Sequence, residues 1–195
     1  MPEQKPELWL IRHGETAWSL TGAHTSRTDI PLTARGRECA TAIRDYLHHW
    51  DFSLVLTSPK QRAQETCHIA GYGDRVQVDP DLSEWDYGEY EGRTTADIRK
   101  EKPGWSVWDD DPPGGETIVQ VAARTQRVID RCTAAGGKAA LFSHAHILRI
   151  LASTWIGKPP HFGRRLALGT GSVSTLGFER EARVIETWNR SFEFE

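Results

Sequence analysis

Apolar and polar positions along the chain follow two periods, one of strands and one of helices. Leu8, Trp9, Leu10 and Ile11 form an unbroken apolar run that Arg12, His13 and Gly14 close abruptly. Such a run predicts a buried strand over 8–12. The polar stretch 14–32 reads as a loop. Thr33 can cap a helix to about His49, with Ala40, Ile43 and Leu47 on its apolar side. "SLVLTS" (53–58) is a second strand. "SPKQ" (58–61) then predicts a helix start, with Ser58 as N-cap, Pro59 at the first helical position and Gln61 closing a capping box. A short strand follows at 76–78. Ile118, Val121, Ala122, Thr125, Val128, Ile129 and Cys132 recur at helical spacing and predict a long helix over 116–133. "KAALFSH" (138–144) is a buried strand, and "AHILRILASTWIG" a helix ended by Gly157. Two late strands, near 172–179 and 183–188, are joined by a turn around Glu181.

Strands alternating with helices of these lengths predict a three-layer α/β/α sandwich. Its sheet is mainly parallel, with an antiparallel hairpin supplying the edge strand. Residues 1–195 are read as one domain, with 84–116 as a short cap or loop insertion.

Composition narrows the function classes. The net charge is −3, which argues against a nucleic-acid partner. No run of 18 apolar residues occurs and "MPEQKPEL" has no apolar leader, so no membrane partner is expected. Cys39, Cys67 and Cys132 lie in apolar helical patterns and read as free thiols in a reducing compartment, the cytoplasm.

The chemistry gathers at strand ends. One ends at Arg12-His13, the next at Ser58 with Arg62 in the following helix, the third at Ser143-His144. Parallel strands would bring all three ends to one edge. Two arginines and two histidines there suit a phosphate dianion, and the helix N-termini after Ser58 and Ser143 would add N–H donors. Imidazoles go beyond binding, because a neutral histidine is a good nucleophile toward phosphorus. A general acid must then protonate the leaving group. "LSEWDYGEYEG" (82–92) offers Glu84, Asp86, Glu89 and Glu91, and chemistry alone does not choose among them. "HAH" (144–146) lacks a third ligand cluster, so neither a metal nor another cofactor is expected.

Four blocks, "LIRHGET" (10–16), "TSPKQRAQET" (57–66), "LSEWDYGEYEG" (82–92) and "FSHAHILR" (142–149), resemble the signature blocks of the histidine phosphatase superfamily in order and spacing. The resemblance implies a phosphoglycerate mutase-like fold and a phosphohistidine intermediate. It assigns His13 as nucleophile, Arg12 and Arg62 as phosphate clamp, and His144 as stabiliser of the transferring phosphoryl group. It assigns Glu84, of the E-x-x-x-G block, as general acid. Within the family the chain looks most like a small branch of sugar-bisphosphatase and acid-phosphatase-like members. There, positions matching Ser19, His24, Thr25, Tyr87, His146 and Arg149 surround the substrate's non-reacting end, beside Ala145, where the family commonly has glycine. Arg149 would engage a second anionic group.

The expected partner is a small-molecule phosphate ester such as a sugar phosphate; a homodimer is allowed but not required. Two alternatives stand beside the phosphatase. One is a cofactor-dependent phosphoglycerate mutase, disfavoured because 92–116 is short and lacks the mutases' basic insertion. The other is a non-catalytic phospho-ligand binding module, which would not need both histidines and the acid.

Overall fold

The computed structural model describes residues 5–192. Residues 1–4, half of the stretch read as lacking a leader, lie outside them. Six strands form one sheet: β1 (Glu7–Arg12), β2 (Leu54–Thr57), β3 (Gln77–Val78), β4 (Lys138–Ser143), β5 (Val173–Glu179) and β6 (Ala182–Arg190), in the order β3-β2-β4-β1-β5-β6. β1, β2, β3 and β4 are parallel. β5 runs antiparallel to β1 and forms the edge hairpin with β6.

The sheet's two faces follow the strand period. Leu8, Leu10, Leu54, Leu56 and Leu141 pack on one side against α5 (Ile118–Ala135) and α6 (Ala145–Trp155). Trp9, Ile11, Val55 and Phe142 pack on the other against α2 (Ala34–Leu47) and α3 (Gln61–Ile69). A third apolar cluster joins Trp85, Tyr87, Ile98, Trp105 and Trp108 to Ile118, Val121, Ile147 and Ile150. It seats segment 84–116 on α5 and α6. Among the described residues no helix is long and apolar enough to cross a membrane.

The structure corrects several local expectations. A short helix, α1 (Ala17–Thr21), stands inside the stretch read as loop, started by a capping box between Thr16 and Ser19. A further helix, α4 (Thr95–Glu101), is capped by Thr94, whose side chain accepts from the Asp97 N–H. The long helix begins at Ile118, behind a Thr117–Gln120 capping box. Ser58 is not an N-cap: α3 begins at Gln61, Lys60 holds the cap position without a side-chain bond, and the Gln61 N–H is taken by Asp29 Oδ1 at 2.8 Å. The local pattern lost because the Ser58 hydroxyl has a distant partner, described below.

Two glycines set the loop after β1. A Cβ on Gly14 would lie 2.3 Å from the Gly36 carbonyl oxygen, and one on Gly36 2.3 Å from that of Glu15. The backbone carrying His13 thus lies directly on the first turn of α2. Gly36→Ala is expected to cost about 1–3 kcal/mol, the usual penalty of overpacking. A lowered urea midpoint with an unchanged slope is the result to look for.

Candidate active site

The three strand ends are hydrogen-bonded side by side. The His13 N–H donates to the Ser143 carbonyl at 3.0 Å and the Ser58 N–H to the Phe142 carbonyl at 2.9 Å. They open into a cleft of about 400 Å³ lined by Arg12, His13, Ser19, His24, Thr25, Glu84, Tyr87, Ala145, His146 and Arg149. Arg62 and His144 do not line it; both lie fully buried directly behind.

His13 is built as a neutral nucleophile. Its Nδ1 lies 2.7 Å from the carbonyl oxygen of Gly14. That acceptor fixes the proton on Nδ1 and leaves the Nε2 lone pair free. Burial, then the charges of Arg62 and Arg12, hold the imidazole well below its ordinary range. The His13 and His144 rings stand edge to face, 5.1 Å apart.

One obligatory donor fixes His144. Arg62 Nε donates to its Nδ1 at 3.1 Å, so the ring proton sits on Nε2, 2.7 Å from Ser58 Oγ. Burial and Arg62 keep this imidazole neutral as well. Arg62 also donates to the carbonyls of Thr28 and Thr25, each at 3.2 Å. Glu91 fixes the loop that offers those carbonyls, accepting from the Ser26 and Thr28 N–H groups at 2.9 Å. Arg12 Nη1 donates to the Leu168 carbonyl at 2.5 Å, while its buried Nε has no protein partner.

Of the four candidate acids, Glu84 lines the cleft. Asp86 faces elsewhere, paired with Arg27 at 2.7 Å; Glu91 is the loop anchor; Glu89 is exposed. Glu84 Oε1 accepts from the Trp85 and Ile147 N–H groups at 2.9 and 3.0 Å, and Oε2 from the His146 N–H at 3.0 Å. These bonds correct the expected use of the helix N-termini. The first-turn amides of α6 that do bond are turned to the Glu84 carboxylate rather than left for a phosphate, and α3 gives its first amide to Asp29.

The remaining predicted residues are also brought together. The Tyr87 hydroxyl lies 2.7 Å from His146 Nδ1, and the His24 ring stacks 4.6 Å from that of Tyr87. Burial lowers His24 to about 4. The Ser19 hydroxyl bonds back to Thr16, and that of Thr25 to the Ala23 carbonyl. Ala145 opens α6 without a left-handed backbone angle, so its Cβ brings no strain where the family usually has glycine.

Sequence reasoning missed several neighbours. Thr66 accepts from the Gly14 N–H at 3.1 Å and donates to the Arg62 carbonyl at 2.7 Å, tying the nucleophile's loop to the clamp helix. Thr95, Arg99, Ser106 and Trp108 also line the cleft. The signal that could have found Thr95 and Arg99 is the Thr94–Asp97 capping pair, which marks α4. Among the described residues no group of three or more His, Cys, Asp or Glu side chains gathers to hold a metal.

Fold, strand ends and relatives place the chain in one class: phosphatases acting on small phosphorylated metabolites. The family model described as the histidine phosphatase superfamily, branch 1, matches residues 8–191, and the chain belongs to that superfamily. An acid phosphatase of Mycobacterium tuberculosis is 38% identical over 180 residues, covering 90% of this chain and 88% of the relative. The sedoheptulose 1,7-bisphosphatase of Saccharomyces cerevisiae is 34% identical over 80% of this chain and 70% of its own. Among solved structures, a functionally characterised open reading frame of Mycobacterium tuberculosis superposes with a TM-score of 0.89 at 35% identity, covering 95% of this chain and 98% of the other. A mycobacterial glucosyl-3-phosphoglycerate phosphatase solved with VO3 gives 0.86 at 26% identity, covering 95% and 100%.

Proposed function

We propose that the chain hydrolyses phosphate esters of sugars or related polyols in two steps, through a phosphohistidine on His13. The observation that carries this reading is the neutral His13 ring, pinned at Nδ1 with Nε2 free, beside Arg12, Arg62 and His144. Nε2 attacks phosphorus as the ester P–O bond breaks, and the proton of a protonated Glu84 goes to the leaving alkoxide. Water then attacks the phosphohistidine, giving its proton to the Glu84 carboxylate, and the P–N bond breaks to release inorganic phosphate. Glu84 ends the cycle protonated again. The charge on the transferring oxygens is met by Arg12 and Arg62, with His144 oriented by Arg62 and Ser58.

Glu84 Oε2, which takes one backbone bond where Oε1 takes two, is the oxygen suited to carry the proton. Residues 1–195 act as one domain in this reading, with 84–116 as a short cap. Free, buried Cys39, Cys67 and Cys132 support a reducing, cytoplasmic setting.

The test is a leaving-group series. General acid catalysis contributes about 10²–10⁴-fold, and only where the leaving group needs a proton. Glu84→Gln is expected to lower the single-turnover rate of phosphoenzyme formation from alkyl phosphates by about that range and to spare that step with p-nitrophenyl phosphate, whose phenolate leaves unaided; the later hydrolysis step, where Glu84 serves as base, slows alike for both. An equal loss in the first step on both esters would remove Glu84 from the acid role and leave it as the cap of α6.

A further inference from the structure

Arg124, Arg127 and Arg131 fall three and four residues apart on α5, so they share one face of that helix. The face lies along residues 77–86, the segment that delivers Glu84 to the cleft. Arg131 pairs with Asp79 at 2.8 Å and Arg127 with Asp81 at 2.6 Å, both through exposed side chains. Arg124 is largely buried and grips backbone instead. Its Nη1 donates to the carbonyls of Asp81 at 2.7 Å and Ser83 at 2.9 Å, and its Nη2 reaches that of Glu84 at 3.4 Å. The carbonyl between them, of Leu82, accepts from Ser143 Oγ at 2.6 Å, at the end of β4. Every carbonyl from Asp81 to Glu84 is therefore bonded.

Glu116 closes the grip from the other side. Arg124 Nε and Nη2 donate to its Oε1 and Oε2 at 2.8 and 2.7 Å, a two-point fork. Glu116 Oε2 also accepts from the Asp86 N–H at 3.0 Å, and its carbonyl from Trp85 Nε1 at 2.8 Å. The Glu116 N–H donates to the Asp86 carbonyl at 2.9 Å. The chain is thus held before Glu84 by Arg124 and after it by Glu116, and the two holds are tied to each other. At the far end of the Glu84 side chain, the carboxylate rests on the first-turn amides of α6. Ile118 and Val121 of α5 share one apolar cluster with Ile147 and Ile150 of α6. The acid is fixed at its backbone by α5 and at its carboxylate by α6, with that cluster setting the distance between them. Neither Arg124 nor Glu116 lines the cleft, so the pair acts through Glu84 rather than on the substrate.

We infer that Arg124, locked to Glu116, is the positioning residue of the general acid, setting Glu84 where its proton reaches the leaving oxygen. The inference rests on the reading of Glu84 as that acid. His13 and Arg12 stand on β1, outside this grip. Loss of Arg124 leaves the Glu84 carboxylate its amides but frees the backbone beneath it. The effect falls on proton delivery and spares attack on an ester whose leaving group needs no proton.

The experiment measures the single-turnover rate of phosphoenzyme formation from a hexose phosphate and from p-nitrophenyl phosphate in wild type, Arg124→Gln, Arg124→Lys, Arg127→Gln and Glu84→Gln. Arg124→Gln should slow the hexose ester about ten- to a hundredfold more than p-nitrophenyl phosphate, the scale of a catalytic group displaced by an ångström. Arg124→Lys should fall between it and wild type, since charge remains but the planar fork does not. Arg127→Gln breaks an exposed ion pair on the same helix face and should leave both rates unchanged. Equal slowing of both esters in Arg124→Gln, or the same selective loss in Arg127→Gln, overturns the inference. Should Arg124→Gln fail to fold, Arg124→Lys carries the test, and a wild-type ratio of the two rates overturns it. Selective loss in Glu84→Gln without it in the Arg124 variants overturns this inference alone. A Glu84→Gln that shows no selectivity, or a wild type that forms no phosphoenzyme from either ester, overturns the reading beneath it as well.

Discussion

Replacing His13 with asparagine leaves a folded protein whose phosphatase turnover falls by at least about 10⁴-fold, the scale of losing a covalent nucleophile. Asparagine keeps a polar side chain at the strand end and can still donate to the Gly14 carbonyl, where His13 Nδ1 now bonds. It has no lone pair able to displace an alkoxide. The loss should be nearly independent of the leaving group, because every ester needs the nucleophile whether or not its leaving group takes a proton from Glu84. The nucleophile also needs no base: burial and two arginines already keep the ring unprotonated. The measurement is kcat on p-nitrophenyl phosphate, with an unchanged unfolding midpoint showing that the fold survives. Retention of more than about a tenth of wild-type turnover would mean that water attacks the ester directly.

Arg62→Lys is expected to be nearly as damaging, although it preserves charge. The guanidinium performs three tasks in fixed directions. Its Nε orients His144, and its two terminal nitrogens hold the Thr25 and Thr28 carbonyls of the loop that borders the cleft. An ammonium on a flexible stem cannot reproduce that fork. With Nδ1 no longer bound by an obligatory donor, His144 can exchange tautomers, its bond to Ser58 reversing direction. Loss of one preorganised donor costs about 10²–10³-fold in kcat, and loss of the His144 orientation adds to it. Stability should fall too, because buried carbonyls left unpaired cost about 1–3 kcal/mol each. Steady-state kinetics paired with denaturant unfolding reads both effects. A variant with near-normal kcat would show that Arg62 is structural and that Arg12 carries the clamp alone.

Much of this site is visible in the chain because its chemistry sits at the ends of buried strands. An apolar run cannot continue through Arg12-His13, and the same break at Ser58 and Ser143-His144 marks one sheet edge once the strands are parallel. Long-range partners are what local pattern cannot show. Ser58 sits in a sequence suited to capping, yet its hydroxyl serves His144, and a carboxylate from residue 29 caps α3 instead. Glu84 and Asp86 are equivalent as sequence; three backbone N–H groups draw one inward and Arg27 draws the other out. Helix α4 escaped because it is short and buries one apolar side chain, Ile98, too few to show a period. With it went Arg99, which lines the cleft through the way the cap packs on α6.

The central claim is a covalent phosphoryl group on His13, and rapid quenching tests it most directly. Enzyme mixed with a radiolabelled phosphate ester and quenched into alkali within the first turnover should carry label on the protein. The label should survive alkali, be released by acid as a phosphoramidate is, and map to the peptide bearing His13. Unlabelled protein at every time point, with phosphate appearing in solution at the rate of ester cleavage, would contradict the account.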